Sequence, residues 1–524
     1  MDPNRFQERR VLVFTLELCF SPFSGNGVLA RSLVSTLARI EATQVRVICG
    51  KPHPSTHDIS ADICMTSGDN HATSFGDLEI WSVELPIQCQ WKRLDRLSPW
   101  KEFAAACVDD NLQISSRVRD FHPTDVIAVD WHGMMAWESL RCSFVDCEYC
   151  LENAIVCYYN FRVYSASSWN HSTCSDNDTQ QTDEEMVGNF YRDKEQISCR
   201  FADRIICLSE HDRDMLQTLM QDDIETQRNT VKRDDYLSIS SRRSTLSAMS
   251  KKIKNILILP PPLRGDILDL AQKNTLDSNE NYTQFLPPEA ANAIKSTTLQ
   301  PRKKRLFISC VVRLSPEKSP HHFVSLIQKL GGVDFLRRNG LIPLLCGAKS
   351  VGCYADQVLA DFEYVCSRGL SQGSVWPFVV IKHFLGPKEL AAVLTRTAIN
   401  IHPCFYDAYG MTLVESAAFG VPSIVNNGGK VGAVSLLGSG KGCIDIDLER
   451  ILEYHDDKKS NDCCYGSGIE ELKTLISKSS RKGSHESRVL GAVAEEARSR
   501  ALNWDEMTCF RSLVAYLNKI NADS

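Results

Sequence analysis

The stretch TAINIHPCFYDAYGMTLVESAAFGVPSIVNN, residues 397–427, decides the fold. TAINIHP (397–403) has the length and β-branched content of a strand, and CFYDAYG (404–410) interrupts it as a loop. MTLVESAAFG (411–420) starts a helix that Gly420 ends, and VPSIVNN (421–427) returns to strand. Within this unit Asp407 and Glu415 lie eight positions apart around a Tyr-Gly turn. The backbone N–H groups of Gly410 and Met411 stand at the positive end of the helix dipole, where an anion is favoured. Carboxylates are good acceptors for vicinal hydroxyls. Asp407 on the loop suits the hydroxyls of a sugar, Glu415 one turn inside the helix suits a ribose, and the amides between them suit phosphate. Standing alone, a loop aspartate and a surface helix glutamate is the plainer reading.

The same strand–turn–helix alternation extends outward. KRLFISCVVRL (304–314), LIPLLCG (341–347) and FVVIKHFLG (378–386) read as strands, with a helix at PHHFVSLIQKL (320–330). An earlier series holds RRVLVFTLEL (9–18), TQVRVICG (43–50), DLEIWSVELP (77–86), TDVIAVDWHG (124–133), DRIICLSEHDRDML (203–216) and ILILPPP (256–262). The amphipathic VLARSLVSTLARI (28–40) follows its first strand. Strands alternating with helices imply parallel sheets covered on both faces. Two such series predict an α/β protein of two tandem Rossmann-like doubly wound domains facing a cleft, with ligands beyond the carboxyl ends of the strands. The expected division is a first domain at 1–270, a linker at 271–305, a second domain at 306–490, and helices at 491–524 packing back toward the first domain. Polar, charge-mixed composition marks 165–190 and 218–252 as irregular insertions.

Size, charge and cysteine use bound the function class. A chain of 524 residues, 43% hydrophobic, can bury more than one core. A formal net charge of −6 argues against a surface built for nucleic acid, so no stable nucleic-acid partner is expected. No apolar run approaches the roughly 18–20 residues of a membrane span. VLVFTLELCF (11–20) is strand-length, is broken by Glu17 and lacks a small-residue cleavage site, so a cytoplasmic protein is expected. The 21 cysteines are scattered, which suits reduced, packed thiols. Cys142, Cys147, Cys150 and Cys157 form the densest group, but one Cys-x-x-Cys without a matching pair is weak evidence for zinc. The basic clusters KRDDYLSISSRR (232–243) and PRKKR (301–305) weakly allow peripheral contact with an anionic membrane surface or acceptor; exposed loop charge is the plainer explanation.

Two further turns carry candidate chemistry. In SGNG (24–27), Gly25 and Gly27 stand between a strand and a helix, where backbone can turn tightly and approach a phosphate; standing alone, a plain tight turn is the plainer reading. In VVRLSPEKSP (311–320), Arg313 lies just past a strand and Lys318 near the first turn of the next helix. Two fixed cations there could neutralise a departing diphosphate without a metal; a salt bridge to Glu317 or a solvated helix start is the alternative. No Asp-x-Asp is placed to hold a divalent ion, so neither metal nor cofactor is expected.

Together these segments resemble the retaining family-4 glycosyltransferases. SGNGVLARSLVSTLA is similar to their N-terminal glycine loop and helix, and VVRLSPEKSP to their Gly-Arg-Leu…Glu-Lys-Gly segment, with Val312 and Ser319 in the glycine places. HPCFYDAYGMTLVESAAFGVPSIVNNGG (402–429) resembles their acidic–seven-residue–Glu motif. ADRIICLSE, ILPPPL, KHFLGPKELAAVL and ALNWDEM are smaller echoes. The resemblance implies the two-Rossmann GT-B fold, with the sugar nucleotide on the C-terminal domain and the acceptor on the N-terminal one. It implies that Arg313 and Lys318 contact the diphosphate, Glu415 the ribose and Asp407 the donor sugar. Two departures stand out. Asp407 replaces the usual Glu, and Tyr158, Tyr159 and Asn160 occupy the region where many members carry an acceptor-side His. His132 of DWHG is the substitute candidate, with a structural strand-end His as the alternative.

The expected activity is transfer of a sugar from a UDP- or GDP-sugar to an unidentified acceptor hydroxyl with retention. No protein nucleophile is evident, so positioning and cationic stabilisation of the leaving diphosphate would carry catalysis. The rival readings are a sugar-nucleotide-binding or regulatory protein with weakened turnover, and a sugar-nucleotide epimerase on the same fold.

Overall fold

The apolar runs read as strands assemble into two wholly parallel sheets. The computed structural model describes residues 8–18, 25–51, 77–85, 98–144, 153–165, 178–231, 247, 249–276, 282–297, 305–348, 353–368, 376–426, 430–453, 467–479 and 485–518. The first sheet contains β1 (Arg9–Thr15), β2 (Thr43–Lys51), β3 (Leu78–Glu84), β4 (Asp125–Val129), β5 (Ile155–Tyr159), β6 (Arg204–Cys207) and β7 (Leu257–Ile258). Its order is β3-β2-β1-β4-β5-β6-β7. Val11 of β1 lies opposite Val45 on one side and Asp125 on the other. The second sheet contains β8 (Phe307–Val311), β9 (Ile342–Cys346), β10 (Val379–Ile381), β11 (Thr397–His402), β12 (Ser423–Asn426) and β13 (Ile444–Ile446), in the order β10-β9-β8-β11-β12-β13.

Central strands flanked by helices are buried on both faces, which is why their sequences are continuous apolar runs rather than alternating ones. Val11, Leu12, Val13 and Phe14 of β1 are fully buried, as are Ile342, Leu344 and Leu345 of β9. Each such side chain contributes about 1.5–3 kcal/mol of burial free energy. Aromatic rings fill the space between the first sheet and its helices: Phe14 packs on Trp137 at 5.7 Å, and Trp100 on Trp131 at 4.6 Å.

The chain divides into two units, Met1–Pro261 with Glu506–Ser524, and Pro262–Asp505. This differs from the expected limits in specific ways. Much of the stretch expected as a linker is ordered: the helix Gly265–Leu276, a 3-10 turn at Tyr282–Phe285 and the helix Pro288–Lys295 all belong to the second unit. Of the final helices, His485–Asn503 belongs to the second unit and Glu506–Asn518 to the first. The expected irregular insertions are helical from Asp178 to Phe201 and from Glu210 to Val231; residues 166–177 and 232–246 lie outside the described residues. The helix predicted from residue 28 starts at Gly25. Both basic clusters fall largely outside the described residues, as do Cys147 and Cys150; the described cysteines are free thiols. No described helix is long and apolar enough to cross a membrane.

Candidate active site

In each sheet the winding direction reverses once, and loops leaving the strands on either side of that reversal meet. In the second sheet the reversal lies between β8 and β11, which pair in parallel. The loop after β8 carries Arg313 and then Lys318, the latter in a 3-10 turn (Pro316–Lys318) rather than in the helix Pro320–Lys329 that follows. The loop after β11 carries Asp407. The adjacency places Lys318 Nζ 2.7 Å from Asp407 Oδ2. His402, the last residue of β11, brings Nε2 to 3.2 Å from the same oxygen.

Backbone geometry fixes this corner. Gly347, just past β9, lies against the β8 loop, and a Cβ on it would fall 1.8 Å from the Val312 carbonyl oxygen. No side chain fits there, so glycine permits the course that presents Arg313. Gly410 adopts φ +83°, a left-handed turn that costs a side-chain-bearing residue about 1–2 kcal/mol, and Met411 then begins the helix Met411–Ala418. The first N–H groups of a helix have no intrahelical acceptor. Two hydrogen bonds strap the acidic loop to the segment after β12: Asp407 N donates to Lys430 O at 2.9 Å, and Gly432 N donates to Asp407 O at 3.0 Å.

The electrostatics follow from these distances. Burial opposes ionisation of Asp407, which is 9% exposed, yet the Lys318 ammonium and His402 hold its carboxyl well below the usual carboxylate range. Burial likewise opposes charge on His402, but the Cys404 sulfur and the Asp407 carboxylate push it up to about 9. Glu415 lies inside the helix after Gly410, buried, with Oε1 3.4 Å from Arg264 Nη1. Burial raises its carboxyl pKa, Arg264 pulls it back, and Asp266 adds to the rise. Arg313 is 43% exposed at its side chain, and its guanidinium is 3.8 Å from Glu317, so the alternative ion pair is present but long.

The first unit builds a second polar cluster at its own reversal, between β1 and β4. Asp130 follows β4 with φ +53°, in the left-handed region, and is fully buried. Its Oδ1 accepts from Phe161 N at 2.7 Å; its Oδ2 accepts from Asn26 Nδ2 at 3.1 Å and from the Tyr164 hydroxyl at 3.3 Å. Burial raises the Asp130 carboxyl well above its ordinary value. His132 lies one residue beyond Trp131 with Nε2 3.6 Å from Asp130 Oδ2, and burial pushes its imidazole down to about 3, so it is neutral near pH 7.

Gly25 and Gly27 fall in the first turn of the helix Gly25–Leu37, not in a loop ahead of it. Gly27 is a close-approach position: a Cβ there would sit 3.2 Å from Glu17 O. Among Tyr158, Tyr159 and Asn160, all buried, Asn160 Nδ2 donates to the Tyr158 hydroxyl at 2.8 Å and to Arg162 O at 2.9 Å.

The structure thus gathers Lys318, Asp407, Gly410 and Met411 around one corner of the second unit, with Glu415 on the helix that begins there. Sequence reasoning did not identify Asn26, Asp130, Tyr164, Arg264, His402 or Gly347. Asn26 stands between the two quoted glycines and Asp130 two residues before His132, so each was marked only by its neighbours.

No protein-family model matches the chain, and no curated protein matches its sequence. Solved structures do match. Sucrose-phosphate synthase from Thermosynechococcus elongatus aligns with 98% of this chain and 100% of that chain, at 12% identity and a TM-score of 0.59. An alpha,alpha-trehalose-phosphate synthase (UDP-forming) from Burkholderia vietnamiensis aligns over 99% and 98%, at 12% identity and a TM-score of 0.60. Anabaena HepE in complex with UDP and glucose aligns over 97% and 99%, at 11% identity and a TM-score of 0.52. These likenesses run the length of both chains, and with the two parallel sheets they identify the fold as the two-Rossmann GT-B type.

Proposed function

We propose that this chain is a retaining hexosyltransferase that moves a sugar from a UDP- or GDP-sugar to an acceptor hydroxyl. The observation that carries the reading is the Lys318–Asp407 pair, 2.7 Å apart, at the start of a helix that also bears Glu415. Lys318 and the more exposed Arg313 supply fixed positive charge for a departing diphosphate, and the helix N-terminus adds its amides. Asp407, ionised by its neighbours, is an acceptor for hydroxyls of the transferred sugar. Glu415 is the acceptor for ribose hydroxyls. Asn26, Asp130 and His132 offer a buried polar cluster suited to the acceptor hydroxyl.

No residue of the chain is assigned as a nucleophile. The reaction proceeds by front-face attack through an oxocarbenium-like state, in which the leaving diphosphate takes the acceptor proton. Positioning and charge stabilisation supply the rate, and neither metal nor cofactor is required. The UDP-forming synthase and the UDP-bound protein of the same fold favour a UDP-sugar over GDP-mannose.

Purified protein assayed for UDP and GDP release from a panel of nucleotide sugars, with and without acceptors, tests the proposal. Lys318→Ala and Arg313→Ala should each lower turnover by roughly a hundredfold, the scale of one lost preorganised contact. Near-normal turnover in both variants would remove the diphosphate assignment. Tight binding with no turnover for any donor would favour the regulatory reading.

A further inference from the structure

We infer that His402, Cys404 and Asp407 form a site for a soft divalent cation, of which zinc is the best match. Their donor atoms, a ring nitrogen, a thiol sulfur and a carboxylate oxygen, all lie within 4.8 Å of one another. His402 is 2% exposed and Cys404 fully buried, so two of the three donors are held in place by packing. Neither ring nitrogen of His402 makes a well-aligned hydrogen bond among the described residues, although Nε2 is 3.2 Å from Asp407 Oδ2. Within reach of this buried imidazole are the Asp407 carboxylate and the Cys404 sulfur, the other two donors. Gly410 leaves that nitrogen uncovered, since a Cβ there would come within 3.3 Å of Nε2.

The donor set selects the ion. One nitrogen, one sulfur and one oxygen suit zinc, whereas magnesium and calcium take oxygen ligands. Zinc bonds of about 2.0–2.3 Å put tetrahedral donors about 3.3–3.7 Å apart. His402 Nε2 and Asp407 Oδ2, 3.2 Å apart, already meet this spacing, and any wider pair is within 4.8 Å. The acidic loop, which carries both Cys404 and Asp407, supplies the remaining adjustment. Three protein ligands leave a fourth position for water or an anion. Binding releases two protons to solvent, the Cys404 thiol proton and one from the His402 imidazolium, and ends the Cys404 contact with the Lys318 carbonyl, now 3.3 Å.

The ion and the Lys318 ammonium compete for one carboxylate. Lys318 Nζ holds Asp407 Oδ2 at 2.7 Å, and its side chain, 22% exposed, can turn outward when a dication takes its place. On the reading of Lys318 and Asp407 given above, on which this consequence alone rests, metal binding inhibits transfer. Zinc would then be a regulator of the site rather than a participant in the reaction.

Cobalt(II), which accepts the same tetrahedral geometry and reports thiolate ligation by absorption, is the probe. The full chain, stripped of metal and reduced, should titrate to one equivalent with a sulfur-to-cobalt charge-transfer band that zinc removes. Cys404→Ser should lose the band. It should also bind more than tenfold more weakly, since losing even an outer-shell partner costs about 10–100-fold. His402→Gln, which keeps the thiol, should weaken binding comparably and serves if the serine variant misfolds. A missing band in the wild type, or a band that persists in Cys404→Ser through another of the 21 cysteines, overturns the site. Zinc should lower wild-type turnover at least tenfold and leave Cys404→Ser turnover unchanged; equal turnover with and without zinc would overturn the inhibition. A protein that shows the cobalt band but turns over no nucleotide sugar would fail the functional reading while upholding the site.

Discussion

Asp407 and Glu415 are both buried carboxylates, yet their surroundings set them apart. Asp407 is held ionised by Lys318 and His402, while at Glu415 Arg264, 3.4 Å away, works against a burial that raises the carboxyl pKa. Their variants should fail differently. Glu415→Ala should weaken free nucleotide and nucleotide sugar alike, because both contain ribose. Asp407→Ala should leave free nucleotide almost untouched while weakening the nucleotide sugar or lowering turnover. Each lost charge-assisted hydrogen bond costs about 1.5–3 kcal/mol, roughly ten- to a hundredfold, which calorimetry resolves. Equal losses on free nucleotide would reverse the assignment. The two acids and Lys318 were legible in the sequence because turn residues framed them. Their pairing was not, because Lys318 and Asp407 are joined only through the β8–β11 adjacency, and no local pattern encodes which strands become neighbours. Ser319 shows a related gap. It stands in a glycine place with φ +47°, so Ser319→Gly should relieve part of the left-handed penalty. The net gain is about 0.5–1 kcal/mol after the added flexibility of the unfolded chain, visible as a raised denaturation midpoint at unchanged slope.

At the scale of elements, the apolar runs of β1, β4, β8, β9 and β11 are readable in the sequence, whereas the helix Asp178–Phe201 lies partly in a stretch whose composition suggests an irregular insertion. Its N-terminal half is polar and carries few apolar positions to set a period. Tertiary packing fixes the latter half: Glu195, Ser198 and Cys199 are buried. The short β13 is three residues long, too brief for a signal of its own. Glu195 links this helix to the end of the first unit's polar loop, accepting from Tyr164 N at 2.6 Å and from Ser165 N at 3.3 Å. Burial pushes its carboxyl up to about 7 against those hydrogen bonds. For an acid raised on folding, the stabilising protonated form is fully present below the unfolded value, near 4.5, and is lost as pH rises through 7. Glu195→Gln carries no such proton. Relative to that variant, the wild type should lose on the order of 3 kcal/mol between pH 4.5 and pH 8, by denaturant titration at several pH values. A constant difference across that range would show that Glu195 is ionised throughout.

For the whole molecule, chain order and structural units do not coincide. The second unit is continuous, and its ends meet where Leu263 N donates to Trp504 O at 3.0 Å. The first unit is closed by the last helix, Glu506–Asn518, which returns to it from the far end of the chain. That helix buries Cys509, Phe510, Leu513 and Leu517, and packs against the helix Gly25–Leu37. Its polar ends are also tied in. The Ser32 hydroxyl donates to Glu506 at 2.5 Å, the Arg9 guanidinium to Asn518, and the Tyr516 hydroxyl to Asn255 O at 3.0 Å. Arg9 is itself paired with buried Asp125 on β4 at 2.9 Å, so losing Asn518 loosens a charged pair within the first sheet. Removing residues 506–524 should therefore destabilise the first unit and spare the second. Four buried apolar side chains at about 1.5–3 kcal/mol each approach the whole stability of a domain, about 5–15 kcal/mol. Hydrogen exchange followed peptide by peptide reads the two units separately. Protection should fall by orders of magnitude in β1, β2 and β4 and stay within a few-fold in β8, β9 and β11. Uniform loss across both units would mean that the second unit depends on the last helix as well, and unchanged protection in β1 would mean that the helix contributes nothing to the first.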